Sequence, residues 1–453
     1  MRRIGKLPLL FASLALLALL LVAAVMVTRA LTQPAGARFL PSATPAYVPQ
    51  QGDSFRVYLD ENISRIRSAL QATYYDASPS PFGPGFDIDR VTDMRSPYEI
   101  APEPGTCTMT PDGKHETGIL LVHGLTDSPY LTRTVARSLG ELFPCALVRG
   151  LLSPGHGTVP GDLLNVRLED WMTTLEFGIE GLAEQAETVH LLGYSNGSAL
   201  AINYLIDKGE DNQVDSLIFI SPGLKTDDPR AWITPWARVA LRWLNVRADT
   251  DPVKYESFTT NAAAEFYQAT RRLEQDDSIL DLPVLMIVSG DDATVSSRYS
   301  REFFCSRLSN PANKLIWMQS HITPLTESDL CEGMVIRDPH FEDLPGFVSY
   351  SHVSLMLPAS DAVYGMNGRI KVCTSYEEQP DLMAACQADE EDTVYAEHNY
   401  KETDGRYEGR LVRRSSFNPA YDEMLLDIYC FISGICQIYE SNDEVLELHA
   451  HDH

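Results

Sequence analysis

The chain has 453 residues, 44% of them hydrophobic, with a formal charge of −27 and an isoelectric point near 4.7. The length exceeds one ordinary domain and suits either a large α/β domain with insertions or two domains. The acidity repels phosphate and argues against nucleic acid as a partner, and by itself it specifies no substrate.

Arg2, Arg3 and Lys6 precede an apolar run that continues without a charge to Val27. About 20 such residues span a hydrocarbon core of about 30 Å. The basic residues come first, which places the N-terminus in the cytoplasm and the remainder outside. Residues 1–31 therefore read as an uncleaved signal anchor in the inner (cytoplasmic) membrane, with a periplasmic body. Secretion after cleavage near Ala35-Gly36-Ala37 is the alternative. Residues 32–53 are rich in Pro, Gln, Ala and Gly and read as a flexible tether. Residues 54–453 form the main body.

Within it, 55–75 has helical spacing of Val57, Leu59, Ile63, Ile66 and Leu70. Strand-like and helix-like segments then alternate: a strand at 119–122, a helix at 131–142, a strand at 146–148 and a helix at 168–185. They continue with a strand at 189–193, a helix at 198–208 and strands at 216–220, 284–288 and 314–318. This order implies a mostly parallel sheet covered by helices on both faces, an α/β fold. Residues 222–281, with Trp232, Trp236 and Trp243, interrupt the alternation and read as a helical cap; a C-terminal extension follows the last strand.

All eight cysteines lie beyond the tether, and an even number in an exported chain points to disulfides. Cys373 with Cys386, and Cys430 with Cys436, are close enough in sequence to pair locally. No Cys-x-x-Cys occurs, so neither a zinc knuckle nor a thioredoxin-type site is supported. His449, His451 and His453 alternate at the chain end, a pattern that can bind metal but in a stretch expected to be loose; no metal or other cofactor is expected.

Gly193-Tyr194-Ser195-Asn196-Gly197, between an apolar strand and a helix, is a nucleophile-elbow pattern. Serine acyl chemistry needs an imidazole base, a carboxylate to orient it and donors for the oxyanion. The turn after the 284–288 strand supplies Asp292, with Asp291 as the alternative. His352 and His321 are both candidate bases, with His340 between them in an acidic stretch. Backbone N–H groups of Leu125, after the first of these strands, and of Asn196 are the candidate oxyanion donors. His123 precedes the serine and reads as a structural support for its loop.

Three segments together resemble the α/β-hydrolase superfamily, in particular bacterial esterases related to monoacylglycerol lipases: Gly118 to Tyr130, Pro154-Gly155-His156-Gly157-Thr158, and the elbow. Ser351-His352-Val353-Ser354-Leu355 and Tyr364-Gly365 are similar to the histidine segment of exported esterases, and the resemblance favours His352 over His321. It implies a Ser195–His352–Asp292 triad acting on a small-molecule or lipid ester through an acyl-enzyme. An acyltransferase, or a non-catalytic binding protein on the same fold, is the alternative. Ser198 stands where many relatives have a second glycine, and it is expected to loosen the helix packing slightly.

Overall fold

The computed structural model describes residues 7–76, 80–319, 324–338, 341, 343–388, 393–400, 405 and 407–435; the side chains of 7–10, 12, 13, 15 and 21 are outside that description. In chain order the first half contains α1 (Leu7–Thr32), α2 (Phe55–Leu70), α3 (Ile88–Arg95), β1 (Tyr98–Ile100), β2 (His115–Val122), α4 (Tyr130–Leu142), β3 (Leu147–Leu151), α5 (Leu168–Ala183), β4 (Ala186–Tyr194), α6 (Asn196–Lys208) and β5 (Ser216–Ile220). Then come α7 (Thr234–Ala237), β6 (Trp243–Asn245), β7 (Phe258–Thr259), α8 (Thr260–Gln275), β8 (Val284–Ser289), α9 (Ser297–Arg307), β9 (Lys314–Met318), β10 (Met334–Arg337), α10 (Pro380–Gln387), β11 (Thr393–Ala396), β12 (Leu411–Arg414) and α11 (Tyr421–Ser433).

Eight strands form one sheet in the order β1-β3-β2-β4-β5-β8-β9-β10, with β1 antiparallel to β3 and every other pair parallel. Both faces are covered, and the side-chain alternation of β2 shows how. Ile119 and Leu121 pack with Val135 and Leu139 of α4 and Ile66 of α2. Leu120 and Val122 face the other way, with Trp171 and Ile179 of α5 and Ile202 of α6. All four β2 side chains are at most 1% exposed, each stabilising the fold by roughly 1.5–3 kcal/mol. Burial on both sides explains why these strands read as unbroken apolar runs.

The strand order also positions a site. The chain leaves β2 toward β3, returns past β2 to β4, and continues outward through β5 and β8. The carboxyl ends of β2 and β4 therefore flank the place where the winding reverses, where open α/β sheets leave a crevice. Register aligns those ends: Val122 pairs with Gly193, and Gly193 with Phe219.

The stretch expected as a flexible tether is instead fastened to the body. Phe39 and Ala46 are buried, and Phe39 meets Trp243 edge-on at 5.1 Å. Ser42 N–H donates to Asp162 Oδ1 (2.6 Å) and Tyr47 N–H to Asn62 Oδ1 (2.9 Å). A Pro- and Gln-rich composition signals low helix and strand content, not the absence of tertiary anchors.

Disulfides join Cys107 to Cys145, Cys305 to Cys331 and Cys373 to Cys386. Cys430 is also disulfide-bonded, and Cys436 lies outside the described residues. Such bonds point to folding in an oxidising, extracytoplasmic compartment. Among the described residues no helix is long and apolar enough to cross a membrane; part of α1 lies outside that set.

Candidate active site

Ser195 occupies the sharp turn between β4 and α6 with φ 51° and ψ −116°. A non-glycine residue there costs on the order of 1–3 kcal/mol. Surrounding bonds hold it: Ser195 N–H donates to Ile220 O (3.2 Å), and Ser198 N–H and Gly223 N–H donate to Ser195 O (3.0 and 2.9 Å). The flanking glycines have a steric cause. A Cβ on Gly193 would lie 2.6 Å from Ser198 N, and one on Gly197 would lie 2.4 Å from Val122 O. Ser198 does not loosen the helix: fully buried, its hydroxyl donates to Gly193 O at 2.8 Å and ties the turn together.

Ser195 Oγ lies 2.9 Å from His352 Nε2, and His352 Nδ1 lies 2.6 Å from Asp292 Oδ2. A carboxylate oxygen accepts, so Nδ1 carries the hydrogen and Nε2 offers its lone pair to the serine hydroxyl. Asp292 is held by its other oxygen, Oδ1, which accepts from Thr294 N–H (2.8 Å) and Val295 N–H (3.0 Å). The carboxylate that meets His352 is that of Asp292 and not of its neighbour Asp291, whose backbone N–H donates to Ser289 Oγ (3.2 Å). His352 sits in a loop beyond β10, joined to the sheet end by Ser289 Oγ donating to Tyr350 O (2.7 Å). His321 and His340, together with His449, His451 and His453, lie outside the described residues.

The loop after β2 carries Leu125, and two buried histidines shape it. His123 Nε2 accepts from Ser153 N–H (3.0 Å), so Nδ1–H donates to Gly124 O (2.7 Å). His156 Nε2 accepts from Thr126 N–H (3.1 Å), with its Nδ1–H toward Ser153 O and Pro154 O. Burial, and for His123 also the neighbouring His156, pushes these imidazoles down to about 3 and about 4, so both stay neutral supports. Thr126 can thus hold φ 65°. Leu125 N–H and Asn196 N–H have no acceptor among the described residues. The function of His156 in shaping the loop escaped the sequence reading, although its motif was visible.

These groups open into a cavity of about 1360 Å³ lined by Leu125, Ser195 and His352. The segment between β5 and β8 contributes an apolar wall including Ile233, Leu241, Leu244, Phe258 and Phe266. Asp127 also lines it, and burial raises its carboxyl to about 6. Among the described residues no group of three or more His, Cys, Asp or Glu side chains could hold a metal ion.

No family model matches the chain. It is 26% identical over 183 residues to a thermostable monoacylglycerol lipase of Bacillus sp. (strain H-257), a match covering 39% of this chain and 71% of that protein. The chain is an esterase-like protein of the α/β-hydrolase fold. Solved structures similar to this α/β-hydrolase include a metagenome-derived lipolytic enzyme (TM-score 0.40, 20% identity, 47% of this chain and 89% of that one). Another is the Paleococcus ferrophilus monoacylglycerol lipase (TM-score 0.39, 19% identity, 49% and 87%). The α/β-hydrolase assignment rests on the sheet order and the elbow, which carry it without these likenesses.

Proposed function

We propose that the protein is a serine carboxylic-ester hydrolase acting through Ser195, His352 and Asp292. The observation that carries this reading is the continuous chain from Ser195 Oγ to His352 (2.9 Å) to Asp292 (2.6 Å), with Ser195 and His352 lining the cavity. Ser195 Oγ attacks the ester carbonyl as His352 Nε2 takes its proton. Leu125 and Asn196 N–H groups stabilise the oxyanion. The imidazolium, stabilised by Asp292, returns the proton to the departing alcohol, leaving an acyl-serine. Water then attacks that acyl group, losing its proton to Nε2, and the acid departs as Ser195 recovers its hydrogen. No cofactor enters. The apolar wall supports an acyl chain as the buried part of the substrate, in keeping with the lipase relative.

A fluorophosphonate probe is expected to label the folded protein at Ser195. His352→Ala is expected to abolish p-nitrophenyl ester turnover while His321→Ala keeps most of it; the reverse pattern would move the base to His321.

We further propose that α1 anchors the body to the membrane. Phe11, Leu16, Leu19, Leu20 and Met26 are all more than half exposed, so protein does not cover them, and lipid is the natural contact for such a helix. After alkaline carbonate washing the full-length chain should stay with the membranes. Its release intact would sink the anchor, and release of a chain shortened near Ala37 would show a cleaved leader.

A further inference from the structure

Glu397 follows β11 and Arg414 ends β12, the strands of a small parallel sheet in the C-terminal extension. Arg414 donates from Nε to Glu397 Oε1 (2.6 Å) and from Nη2 to Oε2 (3.0 Å), a bidentate pair. The Glu397 side chain is fully buried. Burial alone would raise its carboxyl, but the Arg414 charge and the hydrogen bonds from His398 and Arg414 hold it well below the usual carboxylate range.

The pair reaches both elements that carry the proposed acid and base. Glu397 Oε2 accepts from the backbone N–H of His352 itself (3.2 Å) and, at 3.5 Å, from Ala293 N–H beside Asp292. Arg414 Nη2 donates to Thr294 Oγ1 (2.8 Å), in the same turn. The surrounding bonds stitch the histidine loop to the small sheet. Val348 N–H donates to Tyr395 O (2.8 Å), Glu397 N–H to Ser349 Oγ (3.0 Å), and Ser351 N–H to Ser415 Oγ (2.9 Å). The main sheet positions the serine and the aspartate, whereas the extension holds the loop that presents the imidazole.

We propose that Glu397 and Arg414 are positioning residues that fix His352 against Asp292, making the C-terminal extension a working part of the active site. This rests on the triad reading above. A displacement of about 1 Å in such an arrangement costs on the order of 100-fold in rate. The ionisable groups facing the imidazole are Asp292, Asp127, Glu397, Arg414 and Tyr194, with His398 behind Glu397.

The test is steady-state kinetics on the full, disulfide-intact chain. Glu397→Gln should lower kcat by roughly 10- to 100-fold while KM changes by less than about 3-fold. It should also move the acid limb of the kcat–pH profile to lower pH, because a negative charge leaves the neighbourhood of the imidazole while Arg414 remains. Arg414→Lys, which keeps the charge and loses the fork, should show a smaller kcat loss. A Glu397→Gln protein that melts earlier yet keeps the parental kcat and acid limb would make the pair merely structural. If Glu397→Gln does not fold, Arg414→Lys decides by kcat against KM: a lowered kcat at parental KM supports the positioning role, and a parental kcat overturns it. Failure of the triad reading is separately visible, as ester turnover that survives Ser195→Ala.

Discussion

On the proposed mechanism, Ser195→Ala is expected to lower kcat for a p-nitrophenyl ester by about 10⁵- to 10⁶-fold and to remove fluorophosphonate labelling. The size follows from what the side chain does. Without the hydroxyl no acyl-enzyme forms, and the oxyanion donors and cavity can assist only direct attack by water. Stability should hardly change. The backbone strain at φ 51° is carried by bonds from Ser198, Gly223 and Ile220 that do not involve the hydroxyl. The melting temperature is therefore expected within about 3 °C of the parent. A variant that keeps more than a tenth of the activity at unchanged stability would remove Ser195 from the chemistry.

Asp292→Asn should cost about 10⁴-fold in kcat with the fold intact. The amide oxygen can take the place of Oδ1, still accepting from Thr294 and Val295 N–H, so the side chain keeps its orientation. The amide nitrogen then faces His352 Nδ1 in place of a carboxylate oxygen. It donates where the native group accepts. Nδ1 must accept, the ring hydrogen moves to Nε2, and Nε2 can no longer take the serine proton. Removal of the negative charge also destabilises the imidazolium formed in the transition state. Single-turnover acylation measured beside thermal melting checks both halves of this expectation, and acylation at the parental rate would refute it.

The central strands were legible because burial on both faces leaves apolar runs such as Leu120-Leu121-Val122 with little polar interruption. The edges were not. β1 has three residues, and β10 exposes Val335 and Ile336, so neither shows a clean period. The elbow was visible because its glycines answer to local clashes that any sequence forming that turn must avoid. The histidine was harder. His352 meets Asp292 across 60 positions of chain, and no local pattern encodes a contact of that separation. Glu397 and Arg414 lie farther still along the chain, in a segment whose four-residue strands are too short to show a period or motif. Composition misled at 32–53, where buried Phe39, Ala46 and Pro49 and hydrogen bonds such as those from Ser42 and Tyr47 N–H fasten a segment that reads as loose.

Ser195 and His352 stand 157 positions apart, and the Glu397–Arg414 pair comes later again. On the proposed mechanism, that spacing sets a clock on the ribosome and at the export channel. At about 5–20 residues per second, Glu397 follows the elbow by on the order of 10 to 40 s. During that interval the growing chain carries Ser195 without its imidazole. On that mechanism hydrolysis waits until the His352 loop and the Glu397–Arg414 pair have both threaded into place, so the winding of the fold itself delays the chemistry.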